Sequence, residues 1–182
     1  MEIQILNTIQ NMRTPLLDVL MPLISNGIVV WFLLPVILFI RKSTRKAGLI
    51  IFAAILLDIV LCNLVMKNVF QRIRPCDVNT AVTLLVQRPT DYSFPSGHTG
   101  LSFAAVSGLW YSGVHKNWRI PALVFACLIA FSRLYLYVHY PTDVLAGAAV
   151  GVLCGWMAYK FFQMHTFKRC PEISSHAAGL KS

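Results

Sequence analysis

Residues 47–66, AGLIIFAAILLDIVLCNLVM, form one apolar run whose sole charge is Asp58. About 20 such residues are the length of a helix that crosses a hydrocarbon core, where every backbone polar group has to be satisfied inside the segment. Four further apolar segments follow the same pattern at 28–40, 98–111, 120–137 and 142–162. Together they predict an all-α, polytopic membrane helix bundle of five to six spans. Five apolar segments have no place in a soluble fold. Only 13% of the residues are charged, against roughly 25% in soluble domains. Spans of that number use most of the 182 residues, so one integral-membrane domain is expected over 1–182, with its bundle at 28–163 and a cytoplasmic tail at 164–182.

The N-terminal residues read differently. Ile3, Leu6 and Ile9 alternate with Gln4, Asn7 and Asn11 at helical spacing, in a stretch too short and too polar to cross a bilayer. An interfacial helix is expected there. Thr14-Pro15 then opens the segment 16–24, which Ser25-Asn26-Gly27 is expected to end. It is either a second surface helix or a sixth element at the bilayer edge, and residues 1–27 are assigned to interfacial helices. No basic start followed by an apolar core marks a cleavable signal. Gly147, Gly151 and Gly155 recur every four residues, a face that lets membrane helices approach closely.

The net charge of +9 sits mostly in short loops. Arg41, Lys42, Arg45 and Lys46 lie in one, Lys116 and Arg119 in another, and Lys160, Lys168, Arg169 and Lys181 toward the chain end. Positive-inside topology explains this without a nucleic-acid partner and makes those loops cytoplasmic. The five cysteines, Cys62, Cys76, Cys127, Cys154 and Cys170, are scattered without ligand spacing, so neither a disulfide framework nor a metal site is expected. Asp58 lies mid-span, where a carboxylate is costly. It reads either as a proton or substrate contact or as a hydrogen-bonded acid facing another helix.

Phe94–Gly100, FPSGHTG, follows a polar loop and precedes an apolar run, as a helix start does. The free N-H groups and positive dipole end of a helix favour an anion, and Gly97 lets the backbone approach one closely. Ser96 adds a donor and His98 a proton carrier. Alone this tetrapeptide, PSGH, is common. Its company is specific: Lys67, six residues, then Arg74-Pro75 upstream, and Ser132-Arg133, five residues, His139, three residues, then Asp143 downstream.

These three blocks, covering 67–143, resemble the signature of the type 2 phosphatidic acid phosphatase superfamily, the lipid phosphatases related to vanadium-dependent haloperoxidases. The resemblance implies a catalytic set of His139 as nucleophile, His98 as proton donor and acceptor, and Asp143 as the acid that orients His139. It implies phosphate binding by Lys67, Arg74, Ser96, Gly97 and Arg133, with no cofactor and no metal. The residue types suit these roles independently. Phosphoryl transfer needs charge neutralisation around three oxygens, and arginine forks match phosphate geometry.

On the topology above, all these residues fall at the extracytoplasmic face of the plasma membrane. The expected reaction is hydrolysis of a lipid phosphate, with undecaprenyl diphosphate first and phosphatidylglycerol phosphate or phosphatidate as alternatives. Arg72 and Arg88 flank the blocks, either as partners for a second phosphate or as solvated loop residues. A reading from another class is a non-catalytic lipid carrier or channel, which would tolerate loss of His139 and Asp143. The loop at 76–94 is too short for a headgroup-reading domain, so an open lateral entrance between spans is expected.

Overall fold

The residues described in this computed structural model, 1–167, hold nine α-helices, a 3-10 turn and a π-helical stretch, and no strand occurs among them. The tail residues Lys168, Arg169, Cys170 and Lys181 lie outside the described residues. α1 (Glu2–Gln10) buries Leu6 and exposes Ile5. α2 (Pro15–Asn26) opens with Thr14 as N-cap, its hydroxyl accepting from the Leu17 amide at 3.3 Å, and with Pro15 at the first helical position.

The expected break at Ser25-Asn26-Gly27 is absent. α2 runs through a 3-10 turn, Gly27–Val29, into α3 (Val30–Ile40), so 15–40 is one apolar stretch long enough to span a membrane. Helical structure thus continues across the boundary expected at 27. Side-chain demands explain why these residues look like a stop. Ser25 is buried and hydrogen-bonded by Arg133. Gly27 has an ordinary right-handed conformation, and a Cβ there would come within 2.6 Å of the Phe125 ring.

α4 (Arg45–Asp58) continues into a π-helical stretch, Ile59–Met66, and then α5 (Lys67–Phe70). α6 (Pro75–Val78) is a single turn, followed by the loop that leads to α7 (Gly97–Tyr111). α8 (Lys116–Tyr135) and α9 (Pro141–Phe167) complete the bundle. Four stretches, 15–40, 45–78, 116–135 and 141–164, are long and apolar enough to cross a membrane. α7, at 15 residues, is shorter and lies buried among them.

α7 and α9 meet closely because three glycines of α9 face the α7 backbone, with Cys154 and Ala158 packing beside them against Ala104. A Cβ on Gly147 would stand 2.6 Å from the Ser96 carbonyl, and one on Gly155 would stand 2.8 Å from the Gly108 amide. The glycine repeat is thus the face on which the two helices meet. On the other side of α7, Leu101 and Leu109 pack with Trp31, Ile51, Ile55 and Ile129. Phe32, Ile37, Leu64, Leu153 and Trp156 stay exposed on the outside, as lipid contact requires. Asp58 is fully buried against α7, its Oδ1 accepting from the Cys62 thiol at 3.3 Å. A Cβ on Gly100 would come within 2.5 Å of that same oxygen, so the reading of an acid facing another helix describes its place.

The connections alternate between two ends. The turns carrying Arg41, Lys42 and His115 lie at one end, and the loops at 71–96 and 136–140 at the other.

Candidate active site

The three blocks meet at that second end. Arg74 is the N-cap of α6, with Pro75 fixing the first helical position, and its guanidinium is buried. It donates from Nε to the Asp91 carbonyl at 2.7 Å, from Nη1 to the Val138 carbonyl at 2.7 Å, and from Nη2 to Asp91 Oδ1 at 2.6 Å. Lys67, at the end of the π-helical stretch, pairs with the other Asp91 oxygen. Arg133 lies in the last turn of α8, 6% exposed, donating from Nη1 to Ser25. Its Nε has no hydrogen-bond partner among the described residues.

His139 sits in the loop between α8 and α9, 2% exposed. Its two ring nitrogens have different neighbours, and these fix the tautomer. Nδ1 is 2.8 Å from the Ser93 carbonyl, which can only accept. Nε2 is 3.2 Å from Arg74 Nη1, which can only donate. Nδ1 therefore carries the proton and Nε2 presents a lone pair. Burial, reinforced by Arg74 and Arg133 and opposed by Asp143, pushes the imidazole down to about 3, so the ring is neutral at physiological pH.

Asp143 is the third residue of α9, after Pro141 at the first position, and its Oδ2 accepts from the Tyr140 amide at 2.9 Å. This is the acidic half of a capping box, and it holds the carboxylate at the helix start. Oδ2 also accepts from the Ser93 hydroxyl at 2.5 Å and lies 3.7 Å from His139 Nδ1. The direct acceptor for the ring proton is thus the Ser93 carbonyl, with Asp143 behind it.

A cavity of about 430 Å³ opens over these groups. Lys67, Arg74, Gly97, His98, Arg133 and His139 line its polar part, so six of the eight expected residues share one space. Ile28, Phe32, Ile59 and Leu101 line the rest, on the flank between α3 and the π-helical stretch. Asp143 and Ser96 stand behind the wall, both fully buried. The Ser96 hydroxyl is shared with Thr99 at 3.0 Å, and its amide donates to the Asp143 carbonyl at 3.0 Å. Gly97 has a second reason to be glycine, since a Cβ would stand 2.7 Å from Asn63 Oδ1.

Several participants carry no signal in the sequence. Asn63 lines the cavity, the Ser93 carbonyl orients His139, and Asp91 neutralises two of the three cations. Burial would raise the Asp91 carboxyl, but Lys67 and Arg74 overcome it and bring it down to about 2. Arg72 and Arg88 do not face the cavity as extra phosphate partners. Arg72 binds Glu2, Thr142 and Asp143, and Arg88 pairs with Asp77 at 2.8 Å.

The sequence profile of the PAP2 superfamily matches residues 47–167. The chain is 34% identical over 137 residues to the undecaprenyl-diphosphatase of Sulfolobus acidocaldarius, across 75% of this chain and 64% of that protein's length. Its structure is similar to that of Aquifex aeolicus LpxE, with a TM-score of 0.75 and 31% identity over 87% of this chain and 94% of that one. It is also similar to the transmembrane PAP2 type phosphatidylglycerolphosphate phosphatase of Bacillus subtilis, with a TM-score of 0.73 and 29% identity over 90% of this chain and 85% of that one.

Proposed function

Because this chain belongs to the PAP2 superfamily, we propose that it is a membrane lipid phosphatase that works through a phosphohistidine and needs no metal. The observation that carries this reading is the fixed tautomer of His139, whose Nε2 lone pair stands beside Arg74 at a cavity also lined by Lys67 and Arg133. Three cations supply the charge that a phosphoryl group needs as its bonds change. Arg133 Nε is a buried donor without a protein partner, as a phosphate-binding donor would be.

His139 Nε2 attacks phosphorus in line, the bond to the leaving oxygen breaks, and His98 gives that oxygen its proton. Water then attacks the N–P bond's phosphorus, losing a proton to His98, and phosphate leaves as the imidazole regains its lone pair. Asp143 steadies the Nδ1 proton through Ser93 and through its own charge at 3.7 Å.

Undecaprenyl diphosphate is the substrate proposed, hydrolysed to undecaprenyl phosphate and phosphate at the extracytoplasmic face of the plasma membrane. The Sulfolobus relative bears that activity's name. The apolar flank of Ile28, Phe32, Ile59 and Leu101 gives an isoprenoid a lateral path beside the cations. With Arg72 and Arg88 engaged elsewhere, no added cation among the described residues favours a diphosphate. The Bacillus neighbour supports phosphatidylglycerol phosphate as the second reading. Purified protein is tested in detergent by phosphate release from undecaprenyl diphosphate, phosphatidylglycerol phosphate, phosphatidate and a lipid A phosphate. A tenfold preference for phosphatidylglycerol phosphate replaces the first substrate with the second, and binding without release on any lipid leaves a carrier.

A further inference from the structure

Helix α1 takes no part in the reaction above, yet its polar side chains converge on one segment, 135–142, which carries His139 and leads into Asp143. Gln10 Nε2 donates to the Tyr135 carbonyl at 2.7 Å. Asn7 Oδ1 accepts from the Tyr137 hydroxyl at 2.7 Å. Glu2 Oε1 accepts from the Thr142 hydroxyl at 2.7 Å and from its amide at 3.1 Å. Between these, Leu6 is fully buried in a cluster with Tyr137, Tyr140 and Cys76.

The segment needs such support. Tyr137 has φ of +59°, a left-handed conformation that side-chain-bearing residues seldom adopt and that its surroundings have to hold. Nine residues are too few to form a stable helix alone in water, so α1 and the segment order each other.

Glu2 also reaches the site through charge. Its Oε2 accepts from Arg72 Nη2 at 2.5 Å, and Arg72 Nη1 donates to Asp143 Oδ1 at 2.6 Å. The guanidinium lies 4.0 Å over the Tyr140 ring. Acid, base and acid thus form a row that ends beside His139. Arg72 holds one oxygen of Asp143, which leaves the other facing Ser93 and Nδ1.

We propose that α1 is a splint for the nucleophile's loop, and that Glu2, acting through Arg72, is a positioning residue for Asp143 and His139. The proposal rests on the phosphohistidine reading of the same site. It requires a particular kinetic signature, because Lys67 and Arg133 lie outside the row, their side chains held by Asp91 and Ser25. Substrate binding survives a fault in the splint, and turnover does not.

The test measures kcat, KM and melting temperature in detergent for Glu2→Gln, Glu2→Asp and Asn7→Ala, with Glu2→Gln repeated on an Arg72→Ala background. Glu2→Gln is expected to lower kcat about tenfold with KM within about twofold, and Glu2→Asp to recover part of the loss. Asn7→Ala is expected to lower kcat in the same direction. On the Arg72→Ala background, Glu2→Gln should cost less than about twofold, because the two act as one unit. A Glu2→Gln protein with kcat within twofold of wild type overturns the proposal, as does an undiminished effect on the Arg72→Ala background. His139→Ala is assayed beside them. If it still turns over lipid, the reading of the site fails and takes this inference with it; if it is inactive while Glu2→Gln is unaffected, the inference alone fails.

Discussion

His139 donates its Nδ1–H in a hydrogen bond to the main-chain carbonyl of Ser93 at 2.8 Å, a bond that no substitution of Ser93's side chain removes. The tautomer therefore does not depend on Asp143 alone. In serine triads, where the acid is the direct acceptor, Asp→Asn costs about 10⁴-fold. Here Asp143→Asn should cost roughly 10²-fold in kcat, since the carbonyl still fixes the ring, while His139→Ala should show no turnover. Steady-state phosphate release from the preferred lipid measures both. Equal, complete loss in the two variants would mean that Asp143 does more than orient.

The buried, neutral His139 also makes a statement about stability. Its ordinary value of 6.5 is brought down to about 3 in the folded protein, first by burial. Between those values the unfolded chain binds the proton and the folded chain does not, so stability falls as pH drops below 6.5. The stabilisation is fully present above 6.5. Melting temperature in detergent should rise from pH 4.5 to pH 6.5, and the rise should be shallower in His139→Asn. A parallel slope in the two proteins would show that the imidazole titrates in the folded state.

Asp91 predicts an inhibitor effect. Its carboxylate occupies Lys67 and Arg74, two of the cations a phosphoryl group needs, and it stays ionised because those cations bring it down to about 2. Vanadate, as a trigonal-bipyramidal oxyanion, should inhibit the wild type, and activity should persist in EDTA. Asp91→Asn removes the one carboxylate that competes for Lys67 and Arg74. Inhibition by vanadate should then tighten about tenfold, a change of ~1.4 kcal/mol. An unchanged or weakened inhibition constant would show that Asp91 supports the cations with the anion in place.

The parts of this protein that were legible in the sequence are those written in local spacing. Lys67, Arg74, His98, Arg133 and His139 announced themselves in three short blocks, and the structure gathers them at one cavity. The glycines at 147, 151 and 155 announced a helix contact through a four-residue period. The failures are long-range. Ser25 and Gly27 carry the composition of a helix stop, but their form is set by Arg133 and Phe125, about a hundred residues away. Arg72 looks like any interfacial arginine until Glu2 and Asp143 are placed beside it. Ser93 holds the His139 ring through its carbonyl, a group every residue has, so no pattern of side chains could reveal that contact.

The side of the membrane on which the cavity opens can be read by thiol labelling. Cys76 follows Arg74-Pro75 at the cavity end, but it is 1% exposed and a thiol reagent will not reach it. Cys62 and Cys154 are buried as well, while Cys127 is exposed on α8 and Cys170 lies outside the described residues. Reporters have to be introduced on a Cys127→Ala, Cys170→Ala background. Gln87 is exposed in the loop before α7, at the end of the molecule that holds the cavity. Asn117 is exposed at the start of α8, beside Lys116 and Arg119 at the opposite end. Positive-inside topology puts Lys116 and Arg119 in the cytoplasm. In intact cells a membrane-impermeant maleimide should label Gln87→Cys and spare Asn117→Cys, and permeabilisation should expose both. Labelling of Asn117→Cys alone would place the cations and His139 on the cytoplasmic side, where an outer-leaflet diphosphate could not be their substrate.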